Sequence, residues 1–203
     1  FETKNTYSFT LSVTDGTSTS TQDITVSIIN VNEAPIITSA SSFDAAENQS
    51  AVGTVTATDA DGDDLTFAVT GFEIQISSTG VLTFFNNSRD YETQSSYPIT
   101  VSVSDGVNTV TQDVTINITD VNEPPSFVSS AAFSADENQT SIGRVIVGDQ
   151  EGDSLTYTLS GADANSVSIL TSGSDVGTLT FKEAPDFETK NTYSFTLSVT
   201  DGT

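Results

Sequence analysis

The chain has 203 residues, with 28 Asp and Glu against five Lys and Arg, a formal net charge of −23, and no Cys, His or Trp. That balance excludes a nucleic-acid binder, which neutralises phosphates with Lys and Arg, and the missing residue types exclude disulfides, zinc–thiolate sites and histidine acid–base chemistry. No apolar run approaches the ~18 residues of a spanning helix, so no membrane insertion is expected in this segment.

Phe1–Thr17, FETKNTYSFTLSVTDGT, returns letter for letter at Phe187–Thr203, and a diverged version occupies Tyr91–Val107. Glu33 and Glu123, Glu47 and Glu137, and Asp59 and Asp149 stand 90 residues apart, whereas Asp90 and Asp186, and Asp105 and Asp201, stand 96 apart. Two unlike repeats therefore alternate, each long enough to close one small core. They give residues 1–30 as the C-terminal part of one repeat, 31–35 as a linker and 36–120 as a complete repeat. A second linker, 121–125, leads to 126–203, a repeat expected to lack its last strand. The identical ends imply an excerpt from a longer array.

Within each repeat apolar residues alternate with Thr and Ser. Tyr7-Phe9-Leu11-Val13 and Ile24-Val26-Ile28 do so at the start. Tyr97-Ile99-Val101-Val103, Val114-Ile116-Ile118 and Tyr193-Phe195-Leu197-Val199 follow. A period of two marks half-buried strands, and no window carries a convincing helical period. The complete repeat predicts strands near 43–49, 51–58, 65–70, 73–77, 81–85, 97–104 and 108–119, punctuated by Gly and Asp-Gly turns. Seven short strands spaced this way predict an all-β fold of tandem Greek-key β-sandwich domains, immunoglobulin-like in type. The links Asn30–Pro35 and Asp120–Pro125 run straight out of a final strand into Pro, so consecutive domains should stack end to end with little slack. The six extra residues of the last repeat fall between Asp153 and Asp186 as a longer loop.

Carboxylates recur at five places in the repeat: Ala46-Glu47-Asn48, Asp59-Ala-Asp61-Gly-Asp63, Asp90-Tyr-Glu92, Asp105 and the linker Glu33. Their second copies are Asp136-Glu137-Asn138, Asp149-Gln-Glu151-Gly-Asp153, Asp186-Phe-Glu188, Asp201 and Glu123. A sandwich brings such positions to its two ends. Simple solubilising charge does not explain their fixed places. An EF-hand does not fit Asp59-Ala-Asp-Gly-Asp, whose Gly is fourth and whose closing position is Thr70. Asp15, Asp105 and Asp201 also suit plain hairpin turns. Glycosidase-like use of Asp90 and Glu92 lacks an apolar pocket to raise one pKa. Tyr7, Tyr97 and Tyr193 take inward strand positions, which suits core packing better than sugar stacking.

Ala-Glu-Asn, Asp-Ala-Asp, Asp-Tyr-Glu, Ser104-Asp105-Gly106 and Asp120-Val-Asn-Glu-Pro-Pro, in this order and in two registers, resemble tandem cadherin repeats of the bacterial surface-adhesin type. The resemblance spans essentially the whole chain. It implies calcium, two to three ions at each inter-repeat junction, held by oxygen ligands. The first junction would draw on Glu2, Asn32, Glu33, Asp59, Asp61 and Asp105. The second would draw on Glu47, Asp90, Glu92, Asn122, Glu123, Asp149, Glu151 and Asp201, and Glu137, Asp186 and Glu188 would serve a third. The resemblance implies a non-catalytic, extracellular, cell-surface extender of a large adhesin, of the kind used in biofilms, whose main partners are neighbouring repeats of the same chain. Two alternatives stay open: a carbohydrate-binding or homophilic module, with glycans or identical chains as partners, and a filament subunit joined by strand complementation.

Overall fold

The computed structural model describes residues 1–86 and 89–203. The chain forms two compact units, Phe1–Asp120 and Val121–Thr203. Unit 1 opens with a hairpin of β1 (Thr6–Thr14) and β2 (Thr19–Ser27), paired Tyr7↔Val26 and Phe9↔Ile24. Asp15 closes its turn by accepting the N–H groups of Ser18 and Thr17 at 2.7 and 2.9 Å. Those donors, Ser18 first, hold the Asp15 pKa down at about 2.

The complete repeat follows as β3 (Ile36–Ile37), β4 (Ser42–Ala46), β5 (Ala51–Thr54), β6 (Ala57–Thr58) and β7 (Thr66–Val69). Then come β8 (Ile74–Ile76), β9 (Val81–Phe84), β10 (Ser96–Ser104) and β11 (Thr109–Thr119). One sheet runs β4-β11-β10-β7, with β4 parallel to β11, and the other strands pair as β5-β9-β8 and β3-β6. The alternating residues of the two sheets meet in one core, where Leu82, Val101, Val103 and Ile116 are fully buried. The expected strand over 51–58 is two strands, because β5 pairs with β9 while β6 pairs with β3. Val55 makes the crossing, its N–H donating to the Gly80 carbonyl at 2.8 Å. Gly80 sits at φ 81, and a Cβ there would run into the Val55 carbonyl. The first long strand ends earlier than expected, at Ala46, because Asn48 turns the chain at φ 60.

Unit 2 contains β12 (Ser126–Phe127), β13 (Ser141–Arg144), β14 (Val147–Gly148) and β15 (Thr156–Ser160). A single 3-10 turn at Ala164–Ser166 leads to β16 (Val167–Ile169), β17 (Thr178–Phe181) and β18 (Thr196–Thr200). These pair as β13-β17-β16, β15-β18 and β12-β14. The extra residues form the 3-10 turn and a second turn near Gly173, and Asp163 ties the first to Ser194 N–H at 2.7 Å and to Lys190. The core is smaller, with Val145, Val167 and Leu179 buried. Among the described residues nothing in unit 2 takes the place of β11, and its absence has a second effect. Residues 132–136, the counterpart of β4, form no strand, because β4 depends on parallel pairing with β11.

Tyr97 and Tyr193 pack as expected, edge-on against Phe84 and Phe181 with ring centroids 5.3 and 4.8 Å apart. Tyr7 does not. It is 46% exposed, because the β1–β2 hairpin pairs with no further strand among the described residues. Among the described residues, no helix is long and apolar enough to cross a membrane.

Candidate cation sites at the ends of the repeats

In unit 1 the first link crosses the loop after β6. The Asn30 side-chain amide donates to Asp61 Oδ1 at 2.7 Å, and the Glu33 N–H donates to Asp61 Oδ2 at 3.0 Å. The Asn32 amide reaches Asp105 Oδ2 at 3.0 Å. Asp59 organises its own loop, its Oδ1 accepting the N–H groups of Asp61 and Asp63 at 2.9 and 3.4 Å. As a result Glu2, Glu33 and Asp61 bring carboxylate oxygens within 4.8 Å of one another, and so do Asp59, Asp61 and Asp63.

The protonation behaviour follows from these contacts. Desolvation raises the pKa of Glu33, helped by the charges of Asp61 and Glu2. Desolvation also raises Asp63, together with Asp59 and Asp61. Asp61 is held low by the Glu33 N–H and then by Asn30. For Asp105, desolvation pushes upward, yet the Asn108 N–H, the Asn32 amide and the Val107 N–H bring it down to about 2.

At the other end of unit 1, Glu47 is 3% exposed, and its Oε2 accepts the Tyr91 N–H at 3.0 Å. Asp90 caps its own turn, accepting the Glu92 N–H at 3.1 Å and the Thr93 hydroxyl at 2.7 Å. Glu47, Asp90 and Glu92 offer oxygens within 4.8 Å of one another. The left-handed Asn48 directs the chain out of this cluster, its N–H bonded to the Arg89 carbonyl. Desolvation raises the Glu92 pKa, with Glu47, Asp90 and Asp120 adding to the rise.

Unit 2 repeats both arrangements. Asn122 donates to Asp201 Oδ2 at 2.9 Å, as Asn32 does to Asp105. The Thr203 N–H and then Asn122 hold the Asp201 pKa low. Asp149 Oδ1 accepts the Asp153 N–H at 2.8 Å, and Glu123 and Glu151 bring carboxylate oxygens within 4.8 Å. At its other end Glu137 Oε2 accepts the Phe187 N–H at 3.1 Å, and Glu137, Asp186 and Glu188 gather within 4.8 Å.

Asp59 Oδ2, Asp149 Oδ2 and both Glu151 carboxylate oxygens are buried with no hydrogen-bond partner among the described residues. A buried carboxylate oxygen with no donor is costly unless a cation faces it. The donor set is all oxygen, mixing carboxylates with Asn side chains and carbonyls, which suits calcium and not a thiolate- or imidazole-seeking metal. The residues therefore fit calcium. Asp63 and Asn30 join the first-link cluster, although neither is among the ligands that the resemblance implies. Asp63 was legible as the third acid of Asp59-Ala-Asp61-Gly-Asp63. Asn30 carries no such signal, since the other link has Asp120 there.

A family model described as bacterial Ig domain matches residues 32–117 and 122–203. The chain is 31% identical over 130 residues to chitinase A of Pseudoalteromonas piscicida, which covers 63% of this chain and 16% of that protein's length. Among solved structures it resembles the EC22-24 fragment of mouse cadherin-23, with 24% identity, 99% of this chain and 71% of that chain covered, and a TM-score of 0.58. It also resembles PcdhgB3 EC1-4, with 22% identity, 98% and 53% covered, and a TM-score of 0.70.

Proposed function

This chain belongs to the bacterial Ig domain family and is built of tandem cadherin-like repeats, and on that premise we propose that it is a calcium-stiffened, non-catalytic extender. In this reading it lies outside the cell, in a large bacterial surface adhesin, and its work is to hold a distal binding domain away from the surface. The observation that carries the reading is the first link of unit 1. There, acids from the link, the loop after β6 and the N-terminal segment gather around Asp61, beside the donorless buried Asp59 Oδ2.

Glu2, Asn32, Glu33, Asp59, Asp61 and Asp105 would hold the ion at that link. Glu47, Asp90 and Glu92, then Asn122, Glu123, Asp149, Glu151 and Asp201, and finally Glu137, Asp186 and Glu188 are the corresponding ligands at other repeat ends. Two to three ions per link are proposed. A bound calcium supplies positive charge against which several carboxylates stay close together. The chain's own part is to fix their positions. Asn30 and the Glu33 N–H orient Asp61, the Asn108 and Val107 N–H groups orient Asp105, and Tyr91 N–H orients Glu47. Without the cation, like charges oppose the closure of the link.

Small-angle scattering in calcium and then in chelator tests this. The maximum dimension should shorten and the profile should broaden toward that of a flexible chain on chelation. Superimposable profiles would remove the mechanical reading.

A second reading, a carbohydrate-binding module, draws support from two outward aromatics. Phe72 is 100% and Phe85 61% exposed, on neighbouring strand ends joined by the Phe85 N–H to the Glu73 carbonyl. One relative, 31% identical over 130 residues, is a chitinase. Retention on chitin that is lost in Phe72→Ala would favour this reading over the extender.

A further inference from the structure

The two units diverge after β7 and its counterpart β15. In unit 2 six residues, 161–166, lead from β15 to β16. The Asp163 N–H donates to the Ser194 carbonyl at 3.1 Å, and the Asp163 carboxylate accepts the Ser194 N–H at 2.7 Å and pairs with Lys190. Unit 2 thus covers this flank with its own acid. In unit 1 only four residues, 70–73, lead from β7 to β8. The Thr70 N–H donates to the Thr100 carbonyl at 2.9 Å, and the chain turns at once, at Gly71 with φ 130. The flank stays uncovered there, and a cleft of about 150 Å³ opens, walled by Phe72, Glu73, Gln94, Tyr97 and Pro98.

We infer that this cleft is a binding site for one uncharged pyranose ring at the end of a glycan. The inference rests on the carbohydrate-binding reading, narrows it to a single ring in a single place, and is independent of calcium. The charge of the occupant follows from the contrast between the units. Gln94 and Pro98 stand 96 residues before Lys190 and Ser194, the two donors that receive the Asp163 carboxylate. Gln94 carries no charge, Pro98 has no N–H, and Glu73 adds a carboxylate to the wall. An anion is therefore repelled where unit 2 receives one, and a ligand that donates hydroxyls is favoured.

The remaining features set its size and shape. A drug-sized ligand needs a pocket of at least ~300 Å³, so about 150 Å³ suits one ring rather than a run of them. Phe72 is 100% exposed, a flat apolar wall that the C–H face of a sugar ring would cover. Glu73 is held in place, since Arg89 Nη1 donates to its Oε2 at 2.8 Å while the guanidinium packs over Phe84 and Tyr97. No second hydrogen bond to the Glu73 carboxylate is found among the described residues, which leaves Oε1 to accept from a ligand. Gln94 is likewise anchored, its amide donating to the Ser96 carbonyl at 2.9 Å. Pro185 stands at the place of Arg89 in unit 2, so the cleft belongs to one of the two repeat types.

Saturation-transfer NMR of the 203-residue chain tests this, with the methyl β-glycosides of glucose, galactose and N-acetylglucosamine and with the anionic methyl glucuronide. Saturable transfer is expected to at least one neutral glycoside and none to the glucuronide. Phe72→Ala and Gln94→Ala should each weaken binding roughly fivefold or more. Both variants should keep the melting transition of unit 1, since both side chains are exposed. The double variant Gln94→Lys, Pro98→Ser, which restores the donors of unit 2, should turn the preference toward the glucuronide. No transfer to any neutral glycoside overturns the inference, and so does transfer that is the same in wild type and Gln94→Ala. Retention on chitin that is lost in Phe72→Ala and kept in Gln94→Ala would overturn the cleft alone and leave the broader carbohydrate reading standing. Neither retention nor transfer would remove both.

Discussion

Leu82 and Leu179 occupy the same position on β9 and β17 of the two units, both buried, yet they should respond differently to truncation. Leu82 is sealed between two sheets, among Val101, Val103 and Ile116. Leu82→Ala loses about three buried carbons at roughly 0.8 kcal/mol each. The sealed void that it leaves adds about 1–2 kcal/mol, at about 24 cal/mol per Å³. The total is about 4 kcal/mol. Leu179 lines an open cleft of unit 2, where the transfer loss remains but no sealed void is created, so Leu179→Ala should cost about 2 kcal/mol. Native-state hydrogen exchange reads the two units separately, through the slowest amides of β10 and of β18. Equal costs would refute the picture of one closed and one open core.

Glu33→Gln should act in opposite directions with and without calcium. It removes one of the charges around Asp61, so the metal-free link should tighten while calcium affinity falls on the order of tenfold, as seen by competition with a chromophoric chelator. Acid should likewise act in two stages on the metal-free chain. Glu33, Asp63 and Glu92 have raised pKa values, so lowering the pH from neutral through those values relieves repulsion and stability rises. Asp15 and Asp105, held at about 2, contribute stability that is present above the usual carboxylate pKa and lost as the pH falls through about 2. The amides of Thr17, Ser18, Val107 and Asn108 should therefore stay protected at intermediate acidity and open only in strong acid.

The period-two runs made most strands legible, because in a sandwich one face of each strand must be apolar. β7 through β11 fall within a residue or two of their expected spans. What the local pattern could not carry was partner choice. The break between β5 and β6 exists because one stretch of chain pairs with two different neighbours. Residues 132–136 read like β4 in sequence but form no strand without a parallel partner. Tyr7 alternates correctly and is still exposed, since alternation marks a face and says nothing of what covers it. The acids were legible through repetition, and their grouping at repeat ends was expected from the resemblance, but the hydrogen bonds that aim them were not. Asp61 is central because the Glu33 N–H and Asn30 aim it, and Asn30 stands where the other link carries an acid. Arg89 gave no signal at all, yet its guanidinium packs 7% exposed between Glu73 and the rings of Phe84 and Tyr97.

The central claim is that the acids at the repeat ends are a cation-binding framework rather than dispersed surface charge. Titration calorimetry of the metal-free chain with calcium tests it most directly. Saturable binding is predicted with dissociation constants of about 10⁻⁴ to 10⁻³ M, weakened in Glu33→Gln and little affected by equimolar magnesium, which demands a tighter octahedral cage. Heats that never saturate, or that are the same for calcium, magnesium and the variant, would contradict the account.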